Sequence, residues 1–262
     1  MALACCVAAC LAREAHAQAP APVPAANPGR PTVSTPATLT PVGYLQFESG
    51  LLEARDFGGF SSRFGVNHVV KLTVHRRAQL ILQLEPYVRF GSDGGSPDQA
   101  LGGTAAGAQF LLVDGDARKP AIAVSYVHAL SDGRAPDLDI GSSRHAFTVL
   151  VSDDLAGLHV DANVMLNQQL DDDRGRAQHG QTLSLSRAFG NFVIASELWH
   201  FTQPFGRGDA AGTLWSLSYG ARPNLIFDAG FNHGLTDTST PWEFFAGFTY
   251  LLPDRLWGRR QP

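Results

Sequence analysis

Leu80-Ile81-Leu82-Gln83-Leu84-Glu85-Pro86-Tyr87-Val88-Arg89-Phe90 repeats with a period of two. Leu80, Leu82, Leu84, Val88 and Phe90 share one face, interrupted only at Pro86. Gln83, Glu85, Tyr87 and Arg89 share the other, with Ile81 as the single apolar exception. Neighbouring side chains of a strand point to opposite sides of a sheet, whereas a helix would scatter these residues around its circumference. The stretch reads as a strand with one oily and one polar face.

The same design recurs on either side. Phe64, Val66, Val70, Leu72 and Val74 oppose Asn67, Lys71 and Thr73. Leu158, Val160, Ala162, Val164 and Leu166 oppose His159, Asp161, Asn163, Asn167 and Gln169, and Leu225, Phe227, Ala229 and Phe231 oppose Asp228 and Asn232. About twelve such segments follow one another, near 42–53, 62–74, 79–91, 103–113, 120–130, 143–152, 157–169, 179–189, 191–202, 212–222, 224–234 and 243–252. Their connections alternate in length. After the even strands they are short (His75-Arg76-Arg77, 114–119, 153–156, Gly190, Pro223), and after the odd strands they are mostly longer and polar (54–61, 92–102, 131–142, 170–178, 203–211, 235–242). Tight turns at one end and larger loops at the other are the pattern of an all-β, antiparallel up-and-down transmembrane barrel. An even number of strands puts both termini on the periplasmic side.

Composition agrees. Only 17% of the 262 residues are charged, below the usual quarter. Yet the mean hydropathy is −0.05, and no run after residue 18 approaches the roughly 18 to 20 apolar residues a membrane helix needs. Strict alternation of oily and polar residues produces this combination. A soluble β-sandwich would carry a densely charged outer face, whereas these polar faces are rich in Gly, Ser, Asn, Gln and Thr. Backbone edges left unpaired in hydrocarbon cost several kcal/mol each, so the sheet must close, oily side outward. Aromatics should then gather at the two interfaces, and Trp199, Phe201, Trp215, Tyr219, Phe244, Phe245, Phe248 and Tyr250 lie toward strand ends or beside loops. A net charge of −4 leaves no basic footprint for nucleic acid.

The ends divide from the barrel. An apolar run from Ala2 to Ala12 precedes Ala15-His16-Ala17, so residues 1–17 read as a signal peptide cut before Gln18. Val7-Ala8-Ala9-Cys10 offers a lipoprotein-type cleavage as the alternative. Residues 18–41, with Pro20, Pro22, Pro24, Pro28, Pro31, Pro36 and Pro41, read as a flexible periplasmic linker with nothing to bury. Residues 42–252 make the barrel and 253–262 a tail.

Phe227-Asp228-Ala229-Gly230-Phe231-Asn232-His233-Gly234-Leu235-Thr236 and Pro241-Trp242-Glu243-Phe244-Phe245-Ala246-Gly247-Phe248-Thr249-Tyr250 resemble the closing hairpin of a family of outer-membrane transporter-like barrels named for the meta-pathway of phenol degradation. Ala195-Ser196-Glu197-Leu198-Trp199 is similar in style, and the likeness spans about residues 42–252. It implies a pore or small-molecule transporter in the outer membrane of a Gram-negative bacterium, for small solutes that include hydrophobic or aromatic ones.

The candidate functional residues are the inward-facing charges Glu48, Lys71, Glu85, Arg89, Arg144, Asp161, Glu197, Arg222 and Asp228. In a water-filled lumen they would set its field and selectivity; in a narrow one they would pair and close it. No catalytic set, cofactor or metal site is expected. A lipid-acting enzyme would need His and Ser close together with an orienting Asn. The nearest approach is Asn232-His233 with Thr236 or Ser239, and no strand carries a His-x-Ser element. His128, His200 and His233 could share the loop end, and Asp171-Asp172-Asp173 reads as a solvated acidic loop rather than a calcium site. The partners expected are membrane lipid and small solutes, with a monomer favoured. A non-conducting structural or adhesive barrel is the rival reading.

Overall fold

The computed structural model describes residues 24–57, 60–91, 95–136, 138, 143–169, 177–202 and 208–257. The signal peptide, the Cys10 alternative and Asp171–Asp173 lie outside them.

The chain is a closed antiparallel barrel of twelve wall strands with no helix among the described residues. In chain order they are β1 (Leu45–Phe57), β2 (Phe60–His75), β3 (Ala78–Gly91), β4 (Asp98–Ala100), β5 (Thr104–Val113), β6 (Ala121–Ser131), β7 (Ser143–Leu155), β8 (Leu158–Gln169), β9 (Ala177–Phe189), β10 (Phe192–Phe201), β11 (Ala210–Arg222), β12 (Leu225–Gly234) and β13 (Trp242–Leu251). β4 is a short piece that pairs with β3 ahead of β5, so the two act as one interrupted strand. Each strand bonds to its predecessor, and β1 closes the ring on β13, with Gly50 opposite Gly247.

Turn chemistry supports the short connections. Ala156 and Gly157 both take positive φ (53° and 80°) between β7 and β8, the signature of a two-residue type I′ turn, which matches the twist of the strands it joins. One connection expected to be long is short: β1 and β2 continue until Phe57 pairs with Phe60.

The wall is turned inside out relative to a soluble protein. Leu198 is 59% exposed while its neighbour Glu197 is 2% exposed; Val164 is 59% exposed while Asn163 is 2% exposed. Leu183, Leu185, Leu217, Phe227, Phe244 and Phe248 join the outer face, whereas Gln46, Lys71, Gln79, Gln109, Thr182 and Asn232 are buried inside. Only an apolar solvent makes such an exterior favourable.

The alternation that identifies β3 does not run unbroken. Between Val66↔Tyr87 and His68↔Leu84 the register with β2 slips by one residue, so Glu85 and Pro86 together oppose Asn67. Proline has no N–H to give the ladder and is accommodated at such a bulge. Beyond it the faces exchange. Val88 is fully buried inside the ring and Arg89 is exposed, the reverse of an uninterrupted period of two.

Candidate functional site

The interior is a lumen partly filled by the chain's own amino-terminal segment. Residues 24–41 run through the ring rather than outside it, which corrects the expectation of a linker with nothing to bury. Ala26 N–H donates to Pro223 O at the turn end of the barrel (2.9 Å). The segment then rises to mid-lumen and returns to Gly43, whose amide donates to Thr73 O. Asn27 Nδ2 donates to Thr38 O at 2.8 Å, tying the two limbs together.

The physical reason lies in its prolines. Pro28, Pro31 and Pro36 supply no N–H, so the segment carries few donors. Those it has meet inward side chains of the wall. Asn27 N–H reaches Gln46 Oε1 (2.9 Å), and Gly29 N–H reaches Glu48 (3.1 Å). Thr35 N–H reaches Asn163 Oδ1 (2.7 Å), Ala37 N–H reaches Ser152 Oγ (2.8 Å) and Thr40 N–H reaches Gln79 Oε1 (3.0 Å). Glu197 is the densest anchor: it accepts from Val33 N–H (2.8 Å), Ser34 N–H (2.6 Å) and Ser34 Oγ–H (2.7 Å). Arg30 pairs with Asp228 at 3.1 Å. Apolar contacts finish the fit: Ala37 and Leu39 pack on Leu111, Ala121, Ala123 and Leu150, and Val33 packs on the cluster of Trp199, Phe201 and Ala210.

Above this floor, toward the loop end, lies a cavity of about 660 Å³. Gly29 to Val33 and Thr35 form its base, and its walls mix apolar side chains (Leu52, Val127, Leu150, Met165, Trp199, Phe201, Leu214, Phe245) with Asn67, Gln83, Asn163 and Asn232. Three aromatics expected at the lipid interfaces, Trp199, Phe201 and Phe245, point inward instead and are buried. Trp215, Tyr219, Phe244 and Phe248 stay on the outer face. Each inward ring lies over a glycine directly across the ladder: Trp199 over Gly212, Phe201 over Gly180 and Phe245 over Gly230. A Cβ on any of the three would overlap the ring. For Trp199 and Phe201 the sequence signal was their spacing of two and four residues from the inward Glu197. Trp199 Nε1–H donates to Asn232 Oδ1 (2.7 Å) and so stays oriented.

Six of the nine candidate charges face inward, and each has a partner. Glu48 pairs with Lys71 (2.5 Å) and Glu85 with Arg63 (2.7 Å). Asp161 accepts from Ser152 Oγ–H (2.5 Å) and stands 3.4 Å from His159 Nε2. Glu197 and Asp228 hold the segment as described. The other three are corrections: Arg89 is turned outward by the Pro86 bulge, Arg144 is exposed where the register of β7 slips between Ser143 and His145, and Arg222 is exposed beside the irregularity that ends β11. Arg30, Arg63 and Ser34 were missed. Alternation from Phe64 was sufficient to place Arg63 inside; nothing local announces Arg30 or Ser34.

The remaining candidates do not assemble. Asn232 faces the lumen, while His233 Nδ1 lies 2.9 Å from Pro241 O and its ring stacks on Trp242 at 4.2 Å. His128 stacks with His145 (4.8 Å), and His200 contacts Gln181 and Asp209. Among the described residues no three His, Cys, Asp or Glu side chains are grouped to hold a metal.

This is the architecture of an outer-membrane β-barrel, and known structures share it. The chain is similar to the COG4313 outer membrane channel from Pseudomonas putida F1, with 12% identity, a TM-score of 0.58, and coverage of 82% of this chain and 98% of that one. The CymD monoaromatic hydrocarbon channel overlays more loosely, at 9% identity and a TM-score of 0.47 over 79% of this chain and 87% of that one. At this level of identity the likeness defines the fold. No protein-family model and no curated protein matches the chain.

Proposed function

We propose that this barrel is an outer-membrane channel for small, largely apolar molecules, including aromatic ones, and that the amino-terminal segment is its internal plug. The single observation that carries this reading is the cavity of about 660 Å³ inside the ring, walled by Trp199, Phe201, Phe245, Leu214 and Met165 and floored by residues of the plug. Side chains alone fill a barrel of about eight strands; in this wider ring the plug takes up part of the interior as well. Here space is left, its lining is mixed, and the charges that would hold water and ions within it are already paired. The resemblance of the last hairpin to barrels named for the meta-pathway of phenol degradation fits the same solute class, and the COG4313 protein that shares the fold is itself named as a channel.

The test is direct. Cells that express the barrel should take up radiolabelled naphthalene faster than cells without it, and the purified protein should give ion current in planar bilayers when the plug is released. Absence of both flux and current refutes the channel and leaves the adhesive or structural reading.

A further inference from the structure

We infer that displacing the plug opens a path for cations, and that the slot Arg30 leaves behind is the site that binds them. This rests on the plug assigned above. It goes beyond that reading by naming a second class of solute, small ammonium and guanidinium compounds, which the seated plug excludes.

Arg30 crosses the seam that closes the ring. Gly50 on β1 and Gly247 on β13 are partners there, and a Cβ on either would overlap the guanidinium. Asp228, the partner of Gly247 on β12, accepts from Arg30 Nη2–H (3.1 Å) and Nε–H (3.4 Å) and is 6% exposed. Two buried hydroxyls flank this carboxylate. Thr249 stands two residues from Gly247, and Ser216 stands two residues from Ser218, the partner of Asp228 on β11. The side-chain oxygen of each is buried without a hydrogen-bond partner. Leaving a buried hydroxyl unpaired is unfavourable, so both oxygens are spare acceptors beside a carboxylate. The slot thus offers a carboxylate, two idle hydroxyl oxygens and a base of bare backbone, which suits a planar guanidinium or an ammonium group.

Charge favours the same ligand. Gly29 contacts Glu48, Arg30 contacts Asp228, and Val33 and Ser34 contact Glu197, so all three carboxylates line the stretch occupied by residues 29–34 of the plug. Lys71 is committed to Glu48 and Arg63 to Glu85, and among the described residues these two are the inward-facing Lys and Arg side chains of the wall. With residues 29–34 withdrawn, Asp228 has no cation beside it and Glu197 has lost its three donors. Uncompensated carboxylates along a water-filled path between low-dielectric walls attract cations and turn anions away. The seated plug answers this field with one guanidinium and the amides of Gly29, Val33 and Ser34.

Deleting residues 29–34 removes the plug's donors to all three carboxylates, and the limbs it rejoins already touch at Asn27 and Thr38. In planar bilayers across a KCl gradient, the reversal potential of this variant should show K⁺ preferred over Cl⁻ by about tenfold. Adding Asp228→Asn and Glu197→Gln should bring the ratio close to one. Arginine amide, added on the turn side, should reduce the K⁺ current of the deletion variant, and Asp228→Asn alone should remove that block. If the deletion prevents folding, Ser34→Pro should show the same preference, since it withdraws two of the three donors to Glu197 in a chain of full length. Absence of current, a ratio near one, a preference for Cl⁻, or a ratio that ignores the two neutral substitutions overturns the inference. So does a current that arginine amide leaves unchanged. The channel reading for apolar solutes is judged separately, by naphthalene uptake through the unaltered protein.

Discussion

Replacing Glu197 by alanine should unseat the plug while leaving the wall intact. The carboxylate accepts three hydrogen bonds from Val33 and Ser34, all at 2.6–2.8 Å and at a site only 2% exposed. Hydrogen bonds to a charged group contribute about 1.5–3 kcal/mol each. The three share one acceptor, and the released donors find water, so about 1 kcal/mol apiece is the appropriate figure. A total near 3 kcal/mol shifts the balance between seated and displaced plug by more than about a hundredfold, since 1.4 kcal/mol is a factor of ten. The assay places a cysteine at Ala37, which is fully buried against Leu111 and Leu150 in the seated state, and follows its reaction with a water-soluble thiol reagent. Glu197→Ala should raise the labelling rate and the open fraction of single-channel current together. Glu197→Gln, which keeps one acceptor oxygen, should fall between. Thermal unfolding of the barrel should barely move, because the ladders to β9 and β11 do not involve the carboxylate. Unchanged labelling in Glu197→Ala would refute the assignment of this residue as the plug's main anchor.

Three further outcomes are expected. Arg30→Ala leaves Asp228 buried without its charge partner and should cost about 3–5 kcal/mol, whereas Arg30→Ala combined with Asp228→Ala should cost clearly less; unfolding in detergent compares the two. Gly212→Val drives a side chain into the Trp199 ring and should destabilise by about 1–3 kcal/mol with a shift in tryptophan fluorescence, whereas a valine at the open turn residue Gly157 should leave that fluorescence unchanged. Leu183→Arg on the outward face should cost about 2–4 kcal/mol of stability in bilayers. The adjacent Ser184→Arg, pointing inward, should alter current instead, and equal effects of the two would contradict the inside-out assignment.

Much of the wall was legible because a period of two is a local property. The expected segment 157–169 differs from Leu158–Gln169 by one residue at its start, and 191–202 differs from Phe192–Phe201 by one residue at each end. Inward placement of Glu48, Lys71, Asp161, Glu197 and Asp228 followed from the same count. The count fails where the backbone itself changes register. One extra residue at Pro86 sends Arg89 outward and Val88 inward, and neighbouring irregularities expose Arg144 and Arg222. Trp199 was misplaced for a different reason: a strand-end aromatic suits a lipid interface as well as a lumen, although the count that turns Glu197 inward also turns Trp199 inward, two residues on and over Gly212.

Sequence alone determined that this chain forms a ring with oily residues outside, because alternation fixes the two faces of every strand and hydrocarbon forbids an open edge. What fills the ring was decided only in three dimensions. A proline-rich stretch has the same composition whether it trails in water or lies among buried carboxylates and amides. The difference is whether wall residues more than a hundred positions away, such as Asn163, Glu197 and Asp228, stand where its few N–H groups and Arg30 can reach them. That is a matter of closure and register, which no local pattern encodes.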